Sequence, residues 1–94
     1  MIIDSPVSIL ENTLALRILI VLYKEGEMFR STLYTRVAKG TNTARYRVDE
    51  LLEAGLLTEE VSQFPPLSKR IGLTEKGRRV AEHVAAIEEI LRER

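Results

Sequence analysis

Apolar residues recur at intervals of three and four along Leu10–Leu22, which is the spacing of one face of an α-helix. Ser8 and Glu11 match a capping box, whose two side chains satisfy amides at a helix start, so we predict that a first helix begins there. It should run to about Lys24 and end at Gly26 in a left-handed conformation. Further apolar positions widen the stripe at Leu16, Ile20, Val21 and Tyr23. Such a helix is either central or faces a partner.

The next segment predicts a very short strand and a second helix. Met28-Phe29 has the length of a minimal strand, and Ser31 can then cap a helix that ends near Lys39-Gly40. The inward positions of this helix are Leu33, Tyr34 and Val37.

A third helix follows after only a few residues. Either Thr41 or Asn42 supplies its N-terminal cap, and the helix runs to Ala54 with Gly55 as its terminator. Its inward positions are Ala44, Val48, Leu51 and Leu52. The short connection to the preceding helix is the spacing of a helix-turn-helix.

The remainder of the chain predicts a hairpin and a long last helix. Leu56–Gln63 and Ser68–Leu73 have strand length, and the two prolines between them lack ladder amides, so Phe64–Leu67 should form a stiff hairpin tip. Thr74 caps a helix that continues to about Arg92. Its apolar residues fall at spacings of four, three and four, a narrow seam at Val80, Val84, Ile87 and Leu91. We expect helix 74–92 to contribute this seam to a homodimer interface; packing back onto the monomer is the alternative.

The resulting order is α-β-α-α-β-β-α, a mainly α fold with a small β-hairpin wing (α+β), which we assign to one domain over residues 1–94. Three runs of sequence, Thr43–Val48, Leu51–Leu57 and Leu73–Gly77, resemble the winged helix-turn-helix repressors of the multiple-antibiotic-resistance (MarR) and arsenical-resistance (ArsR) types. The likeness covers roughly residues 14 to 80. It implies a DNA-binding regulator with a recognition helix and a wing.

The turn before the recognition helix departs from that family pattern. Only Thr41-Asn42 separate Gly40 from Thr43, about two residues fewer than the family usually has. Either the turn is tighter or the helix ends are shifted, which moves base-contacting positions by about a residue.

Charge is segregated along a chain of zero net charge. Residues 28–48 hold five bases and no acid, residues 49–60 hold five acids and no base, and residues 61–79 hold five bases and one acid. A neutral total argues against nucleic acid, because DNA-binding domains usually carry a basic excess. The two basic blocks matter only if folding places them on one face.

Other chemistry is disfavoured by the residues present. The chain has no cysteine, which excludes disulfides and thiolate metal sites, and Leu14–Tyr23 is too short and too interrupted to span a bilayer. His83 is the only histidine, so neither a zinc site nor a catalytic triad is expected. The five glycines are expected at caps and turns rather than in a phosphate loop. We expect a cytoplasmic protein with no enzymatic activity, no cofactor, no metal and no membrane partner.

Base contacts are expected from the outward face of the third helix, because only the major groove admits a helix and distinguishes all base pairs. The outward residues expected to contact bases are Asn42, Thr43, Arg45 and Tyr46. Asparagine and arginine suit adenine and guanine, respectively. The alternative is that Asn42 only caps the helix and that Arg45 is a solvated charge.

Phosphate contacts are expected from polar and basic residues around this helix and on the wing. They are Arg36, Lys39, Thr41, Lys69 and Arg70, with Arg30 as a further candidate. Lys69 and Arg70 alternate along a strand, so only one of them points at DNA. Arg70 is the better candidate for a minor groove, unless it pairs across the hairpin with Glu59 or Glu60.

These observations predict a sequence-specific, double-stranded-DNA-binding transcriptional regulator that acts as a homodimer. The alternatives are a winged-helix protein-interaction module in a transcription or processing assembly, which a neutral charge permits, and a non-specific architectural DNA protein. The sequence names no small-molecule effector.

Overall fold

Five helical segments and three strands make up the computed structural model, which describes residues 5–40 and 42–94. In chain order they are a 3-10 helix (Pro6–Glu11), α1 (Ala15–Glu25), β1 (Met28–Phe29), α2 (Arg30–Val37), α3 (Asn42–Glu53), β2 (Leu57–Val61), β3 (Lys69–Leu73) and α4 (Glu75–Arg92). The predicted fold class, a winged helix-turn-helix with a small hairpin, is confirmed.

The start of the first α-helix differs from the prediction. Residues Pro6–Glu11 form a separate 3-10 helix capped by the Ser5 hydroxyl, so the capping box at Ser8 is wrong. Proline favours the first helical position, since its φ is already helical and it has no amide to satisfy. The chain then breaks at Leu14, which takes a left-handed φ of 73°, before α1 begins at Ala15.

Tertiary contacts explain why the chain breaks there. The Arg47 Nε atom donates to the carbonyl oxygen of Thr13 at 2.7 Å, and the Asn12 amide lies 3.4 Å from the Glu50 carboxylate. Both partners belong to α3. A left-handed leucine is unfavourable by roughly 1–2 kcal/mol, and these contacts help to hold the conformation.

The second helix also has shifted ends. Helix α2 begins at Arg30 with Phe29 as its N-cap residue and no side-chain cap, so the predicted cap at Ser31 is wrong. The helix follows β1 directly. It ends at Val37 rather than near Lys39-Gly40, which leaves four residues before α3. The short sequence between the two helices is thus accommodated by a shifted helix end rather than by a tighter turn.

The three strands form an antiparallel sheet in the order β1-β3-β2. Met28 pairs with Ile71 at one edge of β3, and Leu57 pairs with Leu73 at the other. Ile71 and Leu57 are buried. The sheet face that carries these two residues therefore packs against the helices, whereas the face that carries Phe29 and Arg70 points away from the core.

Helix α1 is central, as its wide apolar stripe predicts. It contacts the 3-10 helix, the other three helices and β3. The buried core consists of Ala15, Ile18, Leu19, Leu22, Leu33, Tyr34, Val37, Ala44, Val48, Leu51, Leu56, Leu57, Ile71 and Ala81. The inward faces predicted for the second and third helices are confirmed, except that Leu52 is only partly buried.

Local signals at several element ends are confirmed. Gly26 and Gly55 have positive φ values of 85° and 80° and follow α1 and α3, respectively. Thr74 caps α4, because its hydroxyl accepts from the Gly77 amide at 2.9 Å and donates to the Gly55 carbonyl at 2.6 Å. Gly72 and Gly77 lie inside β3 and α4, so the expectation that every glycine is a cap or turn is wrong for these two.

Over residues 5–40 and 42–94, no helix is both long and apolar enough to cross a membrane.

Candidate nucleic-acid interface

Helix α3 has one fully buried face and one exposed face at its N-terminal half. Ala44 and Val48 are completely buried against the core. The opposite positions, which the sequence assigns to base contacts, are all exposed: Asn42, Thr43, Arg45 and Tyr46. Tyr46 leaves 70% of its surface to solvent. The structure thus brings these four residues onto one accessible helical surface.

Some of the basic residues on and around α3 and on the wing form ion pairs with acidic side chains, and others do not. Within the described part of the chain, Arg45, Lys39 and Lys69 make no ion pair. Arg36 pairs with Glu25 at 2.7 Å on the surface. Thr41, also expected to bind phosphate, lies outside the described residues.

Arg47, a further member of the first basic block, is part of the fold rather than of the exposed surface. Its guanidinium pairs with Glu50 within α3 and also bonds to the Thr13 carbonyl. Only 17% of its side chain is exposed. Charge segregation in the sequence therefore overstates the number of cations on this face.

Arg30 is likewise withdrawn from solvent. Its guanidinium contacts Asp49 of α3 and Glu59 of β2 at 2.5 Å each, it bonds to the Tyr34 hydroxyl, and its side chain is only 14% exposed. These ion pairs and its burial disfavour the phosphate contact considered for Arg30 from the sequence. The residue joins α2 to the recognition helix and to the wing.

The environment of Arg30 favours its charged form. Burial by itself lowers the pKa of a guanidinium, but hydrogen bonds to Asp49, Tyr34 and Glu59 outweigh burial and raise the pKa of Arg30 above its ordinary value. Arg30 therefore keeps its positive charge at physiological pH and can hold both carboxylates.

Lys69 and Arg70 lie on opposite faces of the wing. Lys69 pairs in register with Val61 and continues the face that turns toward the helices. Arg70 lies on the outer face, where it pairs with Glu27 at 3.0 Å and its guanidinium lies 5.6 Å from the ring centroid of Phe29. Its acidic partner is neither of the hairpin glutamates considered from the sequence.

The wing tip is a closed loop with an apolar surface. The Ser62 hydroxyl donates toward the Phe64 carbonyl at 3.0 Å and the Pro66 carbonyl at 3.2 Å and accepts from the Ser68 amide at 3.3 Å. Phe64 and Leu67 are 77% and 71% exposed. Sequence reasoning missed these two side chains as candidates. The available signal was a pair of large apolar residues beside prolines in a loop.

The seam on α4 divides into two halves. Val80 and Val84 are partly buried beside α1, whereas Ile87 and Leu91 are 55% and 78% exposed. An open groove of about 1020 Å³ runs between the N-terminal segment, α1 and α4. Its walls include Leu16, Ile20, Val84, His83 and Ile87.

An ion pair joins α1 to α4 beside that groove. The Lys24 ammonium of α1 contacts the Glu88 carboxylate of α4. This hydrogen bond and charge lower the pKa of Glu88 below its ordinary value, with a smaller contribution from Arg92.

Several solved structures with a similar fold are described as transcriptional regulators. The chain is similar to a protein assigned to the MarR family of transcriptional regulators from Porphyromonas gingivalis W83, with a TM-score of 0.81 and 16% identity over 99% of this chain and 97% of that one. It is also similar to a protein described as an HxlR-family transcriptional factor from Thermoplasma volcanium GSS1, with a TM-score of 0.78 and 18% identity over 94% and 79% of the two chains.

A third similar structure is a MarR family transcriptional regulator from Silicibacter pomeroyi DSS, with a TM-score of 0.72 and 25% identity. The match covers 84% of this chain and 53% of that one. No family model and no curated protein matches this sequence. The class that the fold defines is a winged-helix protein of the MarR-like type, and the resemblance stated from the sequence is confirmed at that level.

Proposed function

We propose that this protein is a sequence-specific transcriptional regulator that binds double-stranded DNA as a homodimer. The observation that carries the proposal is the exposed N-terminal half of α3, where Asn42, Thr43, Arg45 and Tyr46 lie opposite a fully buried face. A helix fixed in this way can enter a major groove without disturbing the core.

The chemistry of these side chains supports base recognition. Asn42 can bond to an adenine edge and Arg45 to a guanine edge, each through two hydrogen bonds, while Thr43 and Tyr46 contact neighbouring bases. Arg45 needs no release from an acid of the described chain before it binds, because no ion pair holds it there.

Phosphate contacts would fix the register of the helix in the groove. Lys39 and Lys69 are exposed and can bind phosphates directly, and Thr41 precedes the recognition helix. Arg36 and Arg70 must first exchange their carboxylate partners for phosphate. Both pairs are solvent-exposed, so this exchange is inexpensive.

A homodimer would cover the apolar face of α4. Val80, Val84, Ile87 and Leu91 form the proposed seam, and its outer members are exposed in the single chain. Two-fold symmetry would then place two α3 helices about 34 Å apart, on successive turns of the same DNA face. The expected operator is an inverted repeat.

The likeness to regulators also supports a non-enzymatic role, and the cytoplasm remains the expected location. A protein-interaction module is the rival function, favoured by the zero net charge. Retention of a protein partner together with no retention of any duplex would support that rival.

The central test is a salt titration of binding to duplexes selected from a random pool. Fluorescence anisotropy at several salt concentrations should show log K falling linearly with log salt, with a slope of about −0.9 for each phosphate contact. Absence of binding at low salt would contradict the proposal. Equal affinity for random and selected duplexes would identify an architectural DNA protein instead.

The dimer is tested separately by sedimentation equilibrium. Ile87→Glu should shift the protein to monomer, because it places a charge within the proposed seam. Ala86→Glu is the matched control, since Ala86 is exposed on the same helix and lies about 100° around it from Ile87, away from Val84 and Leu91. Identical dissociation constants for both variants would exclude this seam as the interface.

A further inference from the structure

We infer that the wing tip Phe64–Leu67 enters the DNA minor groove as an apolar wedge that bends the duplex. The inference rests on the proposed function and adds a second binding element to it. The wing would contact the minor groove through apolar side chains at its tip rather than through the basic side chain expected from the sequence.

The tip is built to hold its shape without a partner. The Ser62 hydroxyl bonds to three backbone groups of the loop, and the Ser62 amide donates to the Ser68 carbonyl at 2.9 Å. Two prolines further restrict the backbone. Phe64 and Leu67 are thus presented to solvent on an ordered loop, and little conformational entropy remains to be lost on binding.

The placement of the wing directs this tip toward the proposed DNA surface. The Leu56 amide bonds to the Leu51 carbonyl at 3.0 Å, and Arg30 joins Glu59 of β2 to Asp49 of α3. Strand β2 therefore returns alongside α3, toward the end of the helix that carries the exposed residues. From Glu59 the strand continues by about 7 Å to Val61, at 3.3 Å per residue, and the tip loop follows.

The charges around the tip favour DNA over a protein groove. Residues 61–74 contain no acid, so nothing in this segment repels phosphates. Lys69 is exposed at the base of the tip, on the face that turns toward the helices. Arg70, the other cation, is held by Glu27 on the outer face. Lys69 can therefore bind a phosphate while the apolar tip meets the groove.

Apolar side chains in a minor groove act by partly unstacking a base step and bending the duplex. Pyrimidine-purine steps deform most easily, so the wedge should prefer TA or CA/TG steps outside the bases that α3 contacts. The wing would thus add sequence preference through deformability rather than through hydrogen bonds to base edges.

The test compares binding and bending by wing variants of the full chain. The duplex is a selected site with a TA step at the expected wing position, labelled with a fluorophore pair at its ends. Phe64→Ala/Leu67→Ala should weaken binding at least about tenfold and reduce energy transfer toward that of free DNA. The slope of log K against log salt should not change, because apolar contacts release no counterions.

Two matched variants make the result specific. Gln63→Ala, immediately before the tip, should leave affinity and bending unchanged. Lys69→Ala should reduce the salt slope but preserve the bend. Thermal unfolding of each variant checks that the exposed substitutions leave the fold intact.

The possible failures are distinguishable. No binding of any duplex by the unsubstituted chain would overturn the proposed function and the wedge together. Normal binding with the same affinity and bend in Phe64→Ala/Leu67→Ala would overturn the wedge alone. If Phe64→Ala/Leu67→Ala changed the sedimentation of the free protein but not the bend of the bound duplex, the tip would be a protein contact. That result would also overturn the wedge.

Discussion

Gly77, in the first turn of α4, packs directly against the backbone of Leu56. A Cβ atom at Gly77 would lie 1.9 Å from the Leu56 carbonyl oxygen, far inside van der Waals contact. The same oxygen accepts a hydrogen bond from the Thr74 amide at 3.1 Å. The start of α4 is therefore docked on the connection between the recognition helix and the wing.

Gly77→Ala should destabilise the protein by at least about 2 kcal/mol, because backbone atoms rather than a flexible side chain must move. Chemical denaturation followed by circular dichroism measures the change. Gly40→Ala is the control, since an added Cβ there meets no described atom within 4 Å. Equal stability of the two variants would show that the α4 start can shift freely.

Removal of the Arg30 charge should loosen the wing as well as the core. Arg30→Gln leaves Asp49 and Glu59 without their cation, and we expect a loss of about 2 kcal/mol in the free energy of unfolding. In the variant, the hydrogen-exchange rates of the β2 and β3 amides should increase more than those of α1, because the lost contacts join the wing to the helices.

Arg36→Gln is the matched control for that experiment. Its ion pair with Glu25 is solvent-exposed, with side-chain exposures of 56% and 39%, so the loss of stability should stay below about 1 kcal/mol. If both substitutions had the same small effect, Arg30 would be an ordinary surface charge.

The pair between Lys24 and Glu88 predicts a pH dependence of stability. The pKa of Glu88 is lowered in the folded protein, so its contribution is fully present above the unfolded pKa of about 4.3 and is lost as pH falls through the lower folded pKa. The thermal midpoints of the wild type and Glu88→Gln should differ at neutral pH and converge in acid. Glu82→Gln, on the same helix, should show no such convergence.

Arg45 and Lys69 should affect DNA binding in different ways. Arg45→Ala should cost about 1–3 kcal/mol at the base pair it reads and relax the preference there. Lys69→Ala should weaken binding to every duplex equally and reduce the salt slope by about 0.9 per chain. A uniform loss over all sequences for Arg45→Ala would assign that residue to a phosphate.

Local sequence signals were sufficient for most elements of the fold. Thr74 occupies the N-cap position of α4, as its sequence context predicts. Gly26 and Gly55 take positive φ values after the ends of α1 and α3. The periodic apolar residues of α2 and α3 are buried, so the exposed face of α3 could be predicted as well. These features depend on residues within one or two helical turns, where steric and hydrogen-bonding preferences act directly.

The tertiary structure decided what long-range contacts control. Arg30 meets acids 19 and 29 residues away, and the break before α1 is held by an arginine 34 residues beyond Thr13. Sequence alone could not say which cations such pairs would withdraw from the surface. The face taken by Lys69 and the close approach of Gly77 to Leu56 likewise depend on strand register and helix docking. Local preferences thus determined the elements, whereas packing between distant segments selected the side chains that remain free to bind.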